Sequence, residues 1–288
     1  SNMKIKIVFI GGLSNGKIVY DYLSNNKYVN LQLVITYEDK VVKPRHVIFP
    51  EKENIVKTNS ANSYINVIKE LEPDMIIVAG WSELLSNNLI KIPVTGTIGF
   101  HPSKLPQDKG RSVLSWQIEE GYEETALSMF YYSDLPDSGN LIAQEKIKIT
   151  KFDYIDDILD KVDEATYNLM YAYFPLLRTN NIKAIEQYNI DSTFRRLRKE
   201  IDDVINWNRT SEEIYNKIRA ISHPYPGAVF FLDEKKCKVW KAQIVEVFNY
   251  GQASSPGTLI AKFYDNSLLF KTKDSNILIQ LWEYVKKD

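Results

Sequence analysis

The apolar run Met-Ile-Ile-Val-Ala-Gly-Trp at residues 75–81 is the feature that most limits the folds open to this chain. A short run without polar residues is typical of a parallel β-strand that is covered on both faces. Because strand-like and helix-like segments alternate, we predict an α/β fold, in which a Rossmann-like, mostly parallel sheet carries helices on both faces. The other strand-like runs lie at 3–10 and 31–36, and segments with helical spacing lie at 17–23, 60–71 and 81–90.

A second pattern begins after Pro226-Gly227, where short strand-like segments are separated by turns. Short strands of this kind predict a small β-barrel-like, or OB-like, domain. We therefore expect a first domain at 3–190, a linker at 191–205 and a C-terminal domain at 206–288. The strand-like segments of the C-terminal domain lie at 228–232, 237–247, 258–263, 267–271 and 277–285.

Composition narrows the range of partners and compartments. The 288-residue chain has a net charge of −1, so a nucleic-acid partner would need a local basic patch. Its one cysteine, Cys237, fits a reducing compartment, and no apolar run approaches the ~18 residues that span a bilayer. We therefore expect a cytoplasmic protein without membrane contact. The His, Cys and carboxylate residues show no clustered ligand spacing, so no metal site is predicted.

Two loop motifs carry polar side chains that could do chemistry. His101 lies in Gly-Phe-His-Pro-Ser-Lys-Leu-Pro at 99–106, and Asp137 lies in Pro-Asp-Ser-Gly at 136–139, after the strand-like residues 126–132. Ligands of open α/β sheets bind beyond the carboxyl ends of the strands, where such loops meet. An imidazole and a carboxylate on neighbouring loops can form an acid–base pair. The alternative is that both are turn residues at the surface.

The complete pattern is more specific than either loop alone. It comprises His-Pro-Ser-x-Leu-Pro from His101, then Gly110-Arg111, Trp116, Asp137-Ser138-Gly139 and Gln144. In this order it resembles the formyltransferase family that uses 10-formyltetrahydrofolate, whose members act on methionyl-tRNA, glycinamide ribonucleotide or sugar nucleotides. Residues 218–228 resemble the junction that leads into the C-terminal domain of the methionyl-tRNA and sugar-nucleotide members. The resemblance therefore covers nearly the whole chain.

This resemblance implies a formyltransferase with assigned catalytic roles. His101 is expected to donate to the formyl oxygen, and Asp137 is expected to orient the histidine and help to take a proton from the attacking amine. The implied formyl donor is 10-formyltetrahydrofolate, with its pterin in an apolar slot. The residues implied to bind it are Gly80, Trp81, Ser82, Leu84, Ser133, Leu135 and Asp137.

Gly99 departs from the family pattern, which places an asparagine at this position. The asparagine amide is an oxyanion donor, and loss of one such donor typically costs ~2.7–4 kcal/mol of transition-state stabilisation. A backbone N–H made accessible by the glycine, or the side chain of Asn140, could replace it. Without a replacement, the chain would be a weakened catalyst, or a protein that binds folate or a sugar nucleotide without turnover.

The resemblance leaves the formyl acceptor open. We expect a dTDP- or UDP-linked amino sugar destined for a surface polysaccharide such as lipopolysaccharide, with Ser103, Lys109 and Arg111 as candidate acceptor-binding residues. Lys109 and Arg111 could also be ordinary exposed loop residues. The alternative acceptor is methionyl-tRNA, for which basic residues at 40–45 and 235–241 would meet phosphates, although acidic neighbours dilute both segments. A homodimer stays open, since no sequence feature requires one.

Overall fold

The computed structural model describes residues 3–246 and 253–287, and the chain divides into two compact units. The first unit takes in the segments Ser1–Gly110, Thr125–Ile147 and Asp160–Phe194. The second takes in Arg111–Glu124, Lys148–Leu159 and Arg195–Asp288. Each unit is therefore assembled from three separate segments of chain. The division into successive domains at 3–190, 191–205 and 206–288 stays a prediction.

The secondary-structure elements are numbered in chain order. The strands are β1 (Ile5–Gly11), β2 (Val29–Thr36), β3 (Ile55–Lys57), β4 (Met75–Ala79), β5 (Thr97–His101), β6 (Lys109–Gly110), β7 (Glu124–Tyr131), β8 (Leu141–Lys148), β9 (Phe194–Arg195), β10 (Ala228–Leu232), β11 (Lys235–Val245), β12 (Leu259–Lys262), β13 (Leu268–Lys271) and β14 (Asn276–Tyr284). The helices are α1 (Leu13–Ser24), α2 (Ile65–Leu71), α3 (Asn87–Ile90), α4 (Val113–Glu119), α5 (Ile155–Arg178) and α6 (Ser211–Ile221). Single turns of 3₁₀ helix lie at Asn62–Tyr64, Asn189–Asp191 and Glu200–Asp203.

The first unit is built on a seven-stranded sheet with the strand order β3-β2-β1-β4-β5-β7-β8. Strands β1 to β5 pair in parallel, and β7 pairs antiparallel with β5. The predicted Rossmann-like, mostly parallel sheet is therefore confirmed. The helix predicted at 81–90 was wrong over its first half, because residues 81–86 form an irregular loop. Helix α3 begins only after Ser86, whose side chain caps it by accepting a hydrogen bond from the Leu89 N–H.

The side chains of β1 show why helices cover both faces of the sheet. Val8 packs into an apolar cluster together with Ile68 of α2. Phe9 points to the opposite face, since successive side chains of a strand alternate. There its ring stacks on the Phe49 ring, with 6.5 Å between ring centroids. The Tyr20 ring of α1 also packs on Phe49, with 5.0 Å between ring centroids. Burial on both faces explains why residues 7–10 of this strand are apolar without interruption.

The register between β5 and β7 determines which side chains share the site. Gly99 lies opposite Phe130, and His101 lies opposite Ser128. The pairing continues past the end of β7, where the Tyr132 N–H donates to a β5 carbonyl oxygen at 2.8 Å. Because side chains alternate along a strand, Gly99 and His101 lie on the same face of the sheet as Phe130 and Tyr132.

The second unit contains a five-stranded antiparallel sheet with the order β10-β11-β14-β13-β12, curled into a half-barrel. The predicted β-barrel-like fold of the C-terminal part is therefore confirmed. The strand predicted at 237–247 corresponds to β11, and Val247 lies outside the described residues. Helix α6 begins with a capping box between Thr210 and Glu213, and α4 packs against it.

Candidate active site

His101 is the last residue of β5 and is only 6% exposed. Its Nε2 atom lies 2.7 Å from the Asp108 carbonyl oxygen, and its Nδ1 atom lies 3.5 Å from Oδ1 of Asp137. A carbonyl oxygen can only accept a hydrogen bond, so Nε2 carries the proton in this arrangement. The nitrogen that faces the carboxylate is therefore the one able to bind a further proton.

Asp137 reaches the histidine from an unexpected direction. Because β7 runs antiparallel to β5, it ends beside Thr97, at the far end of β5 from His101. The loop that follows β7 doubles back along the sheet and brings Asp137 to the imidazole. Its Oδ2 atom accepts a hydrogen bond of 3.0 Å from the Gly110 N–H. The structure thus brings the two residues together, although they do not follow the ends of two parallel strands.

Gln187 holds the Asp137 turn, and sequence reasoning missed it. Its side-chain amide donates to the carbonyl oxygens of Asp137, at 3.0 Å, and Gly139, at 2.7 Å. The residue is 8% exposed and lies after α5 in a polar stretch that carries no motif. No local signal in the sequence could have shown that this side chain reaches back about fifty residues.

Lys109 is buried, with 1% of its surface exposed, although a lysine in a loop is ordinarily exposed. Its ammonium donates to the hydroxyls of Ser138, at 2.9 Å, and Ser192, at 3.2 Å, and lies over the Phe194 ring. Burial lowers the pKa of Lys109, and the Asp137 carboxylate partly offsets this effect. The ammonium therefore stabilises the turn that carries Asp137.

The other two predicted acceptor-binding residues lie in different settings. Ser103 is buried, and its hydroxyl donates to the Gln107 carbonyl oxygen at 2.7 Å. Arg111 is exposed and begins the first segment of the second unit. The assignment of Ser103, Lys109 and Arg111 to acceptor binding stays a prediction.

Because the ammonium of Lys109 is buried, its contribution to the stability of the folded chain depends on pH. Its pKa is lower in the folded chain than the ordinary value of 10.5, so the unfolded chain binds more protons just below pH 10.5. The contribution of Lys109 to the free energy of unfolding therefore rises with pH up to that value. We expect the free energy of unfolding of Lys109→Met, relative to that of wild type, to be highest at about pH 8 and to fall as the pH approaches 10.5.

Urea unfolding of both proteins at a series of pH values measures this difference. Lys104→Met, at an exposed position of the same connection, is the control for the loss of one positive charge. If the free energies of unfolding of Lys109→Met and wild type differed by the same amount at every pH, the prediction would be contradicted.

The predicted donor-binding residues form two neighbouring segments of the first unit. Trp81 stacks on Tyr37 with 4.2 Å between ring centroids, and the Ser82 N–H donates to the Tyr37 hydroxyl at 2.8 Å. Leu84 is 73% exposed, and Leu135 in the other segment is 66% exposed. The assignment of these residues to binding of the donor stays a prediction.

Other contacts hold the two segments in place. Lys91, just after α3, forms an ion pair of 3.0 Å with Asp134 in the loop that also carries Ser133 and Leu135. The Ser133 hydroxyl donates to the Leu135 carbonyl oxygen at 3.1 Å. Gly80 has a φ of +67°, and a Cβ atom there would overlap the Gly12 carbonyl oxygen, so the chain turns sharply where the first segment begins.

Two features are absent from the described residues, 3–246 and 253–287. No group of three or more His, Cys, Asp or Glu side chains in these ranges could hold a metal ion. No described helix combines the length and the apolar character needed to cross a membrane.

The chain is similar to known proteins in sequence and in structure. The formyl transferase family model matches residues 3–173, and the model of the formyl transferase C-terminal domain matches residues 197–287. Methionyl-tRNA formyltransferase of Bacillus mycoides (strain KBAB4) is 28% identical over 287 residues, which cover 96% of this chain and 90% of the relative.

Two solved structures share the fold. One is an N-formyltransferase from Helicobacter canadensis in complex with folinic acid and dTDP-3-aminofucose, with a TM-score of 0.69, 19% identity and coverage of 96% of this chain and 99% of the other. The second is HypX from Aquifex aeolicus in complex with tetrahydrofolic acid, with a TM-score of 0.73 and 16% identity. The match covers 100% of this chain but only 45% of the longer HypX chain.

The two matched regions account for most of the sequence, and the chain belongs to the formyl transferase family. It is therefore an enzyme that transfers a formyl group. The formyl donor used by this family is 10-formyltetrahydrofolate. The resemblance that the His101 and Asp137 motifs indicated is confirmed, while the roles of the individual site residues stay predictions.

Proposed function

We propose that this enzyme formylates the amine of a nucleotide-linked amino sugar, with 10-formyltetrahydrofolate as the formyl donor. The observation that carries the proposal is the ion pairing of two basic side chains, Lys40 and Arg45, in the segment 40–45, where a tRNA acceptor would need free positive charge. Arg45 forms ion pairs of 2.8 Å with Asp160 and 3.3 Å with Asp163, and Lys40 lies 3.5 Å from Glu38. A guanidinium held between two carboxylates has little net charge to offer to a phosphate.

Two basic residues of the C-terminal segment 235–241 also have partners, one a carboxylate and the other an aromatic ring. Lys236 forms an ion pair with Glu200, and the Lys235 ammonium lies 5.7 Å from the centre of the Tyr284 ring. With a net charge of −1, the chain also lacks a general field that would attract a polyanion. A compact acceptor with a single diphosphate requires far less positive charge than a tRNA. The dTDP-amino sugar bound to the Helicobacter canadensis relative supports the same acceptor class.

The residues at the site suit the proton movement of formyl transfer. A neutral amine that attacks the formyl carbon must lose one proton, and the folate nitrogen that leaves must gain one. The Nδ1 atom of His101 and the Asp137 carboxylate lie 3.5 Å apart and together form a basic group that can take this proton. Trp81, Leu84 and Leu135, which have large apolar side chains, would hold the pterin ring.

The second candidate acceptor is methionyl-tRNA, because the Bacillus mycoides relative that covers 96% of this chain carries that name. The two acceptors differ in how salt affects the reaction. Binding of a tRNA through several phosphates weakens steeply as salt is added, whereas binding of one diphosphate weakens much less.

Formyl transfer to a panel of dTDP- and UDP-linked amino sugars, with charged initiator tRNA in parallel, tests the proposal. We expect turnover on at least one amino sugar, little change in KM between low and moderate salt, and loss of activity in His101→Ala. Turnover on tRNA alone would replace the proposal with the second candidate. Binding of folinic acid without turnover on any amine would instead indicate a protein that binds folate but does not catalyse transfer.

A further inference from the structure

Position 99 has no room for any side chain, because the ring of Tyr132 fills the space. A Cβ atom built on Gly99 would overlap Cε1 of Tyr132 and would lie 3.0 Å from the phenol oxygen of the same residue. The phenol oxygen therefore stands where a short side chain at position 99 would place its polar atoms.

The ring of Tyr132 is held firmly in this position. It stacks on Phe130 with 5.4 Å between ring centroids and an angle of 3° between the planes. It also packs against the apolar cluster that includes Ile76 and Val78 of β4, as does the ring of Trp81. Because the ring lies on the same face of the sheet as His101, the hydroxyl lies on the side of the sheet that carries the acid–base pair.

The Tyr132 hydroxyl has a hydrogen-bonding capacity that the described part of the chain leaves unused. No described residue accepts a hydrogen bond from it, whereas the one proton of a neutral His101 is directed at the Asp108 carbonyl oxygen. Burial, and then the nearby Asp137 carboxylate, raise the pKa of the Tyr132 phenol above its ordinary value of 10.0. At neutral pH the phenol is thus a hydrogen-bond donor, and it stays protonated.

We propose that the Tyr132 phenol donates a hydrogen bond to the formyl oxygen as that oxygen gains negative charge, in place of the side-chain donor that is absent at Gly99. This inference rests on the formyl transfer described above, and it holds for an amino sugar or a tRNA acceptor. The amine nitrogen forms a bond to the formyl carbon while the bond from that carbon to the folate nitrogen breaks. One proton leaves the amine and one reaches the folate nitrogen, so the phenol keeps its own proton throughout.

Kinetics of Tyr132→Phe provide the first test. We expect kcat to fall roughly 10²–10³-fold with a smaller change in KM for the donor, because a hydrogen bond already made to the bound formyl oxygen strengthens as that oxygen gains negative charge in the transition state. Tyr131→Phe is the matched control, since Tyr131 is the neighbouring residue and its side chain points to the other face of the sheet. A kcat for Tyr132→Phe within about threefold of the control would overturn the proposal.

A second measurement does not depend on turnover or on the acceptor. The stretching frequency of an isotope-labelled formyl carbonyl is measured for 10-formyl-5,8-dideazafolate, a stable analogue of the donor, bound to each protein without acceptor. A hydrogen bond from the phenol lowers this frequency, so we expect it to rise in Tyr132→Phe and to stay unchanged in Tyr131→Phe. If both variants gave the wild-type frequency, the phenol would not contact the formyl oxygen, whatever the acceptor of the enzyme.

A paired substitution shows whether the phenol replaces a donor at position 99. Gly99→Asn alone is expected to disrupt the site, because the new side chain would overlap the Tyr132 ring. Tyr132→Ala alone removes the donor. We expect the combined variant, Gly99→Asn with Tyr132→Ala, to recover at least about tenfold in kcat over Tyr132→Ala, because the amide then has both room and a function. A combined variant no better than Tyr132→Ala would contradict the exchange of donors.

Discussion

Replacement of Asp137 by asparagine is expected to lower kcat by roughly 10²–10⁴-fold, the range found when a positioned acid or base is removed. The amide keeps the size of the carboxylate, and its oxygen can still accept the hydrogen bond from the Gly110 N–H. It carries no charge, so it cannot stabilise a proton on Nδ1 of His101, which lies 3.5 Å from the carboxylate in the wild-type enzyme. We therefore expect kcat to fall while the stability of the folded enzyme is retained.

Steady-state kinetics with the preferred acceptor, together with thermal unfolding, check this result. Asp134→Asn makes the same chemical change in the same loop, where the side chain is exposed and forms an ion pair with Lys91. An exposed ion pair contributes little to stability, so this control is expected to keep kcat within about threefold of wild type. Equal losses in the two variants would show that the loop, and not the Asp137 carboxylate, is what the reaction needs.

Replacement of Gly139 by alanine is expected to damage both stability and activity. A Cβ atom at this position would overlap the Tyr131 carbonyl oxygen, and backbone atoms cannot move aside as a flexible side chain can. The turn would have to shift, which would break the hydrogen bond from Gln187 to the Gly139 carbonyl oxygen and move Asp137 away from His101. We expect a loss of about 3 kcal/mol in the free energy of unfolding and at least a hundredfold loss in kcat, since roughly 1 Å of misplacement can cost that much.

Chemical denaturation and kinetics of Gly139→Ala are compared with those of Gly121→Ala. Gly121 lies just past the end of α4 with a φ of +80°, so an alanine there strains the backbone by ~1 kcal/mol. This control is expected to lose stability but to keep its turnover, which separates general destabilisation from damage to the site. Normal turnover in Gly139→Ala would mean that the turn tolerates the added methyl group and that its position matters little.

The parts of the fold that the sequence predicted correctly are those where burial leaves a regular pattern. The apolar runs at β1, β2 and β4 are buried on both faces, and the alternation with helices indicated a parallel sheet. The helix predicted at 81–90 was wrong over residues 81–86. Leu84 and Leu85 both fit the apolar pattern of a helix, but only Leu85 is buried. Spacing alone does not distinguish an apolar side chain in the core from one exposed to solvent.

The pairing of His101 with Asp137 could be predicted because each residue lies in a motif of its own. The roles of Gln187, Lys109 and Tyr132 could not, because each depends on a partner that lies far along the chain or on the opposite strand. An inward-facing lysine cannot be distinguished from an exposed one by sequence, and Ser192 lies 83 residues away from Lys109. The absence of a side chain at Gly99 was visible in the sequence, but the ring that fills the space became apparent only in the register of β5 and β7.

The packing of α4 on α6 has a consequence for how this enzyme can be divided. Helix α4 is encoded between two segments of the first unit, yet its apolar residues Val113, Leu114 and Ile118 are buried. A chain cut near residue 190 would keep α4 and lose α6, which would leave those side chains without their cover. The N-terminal part of the chain would therefore expose an apolar helix face by itself, and any exchange of the C-terminal part would have to supply a surface that fits α4.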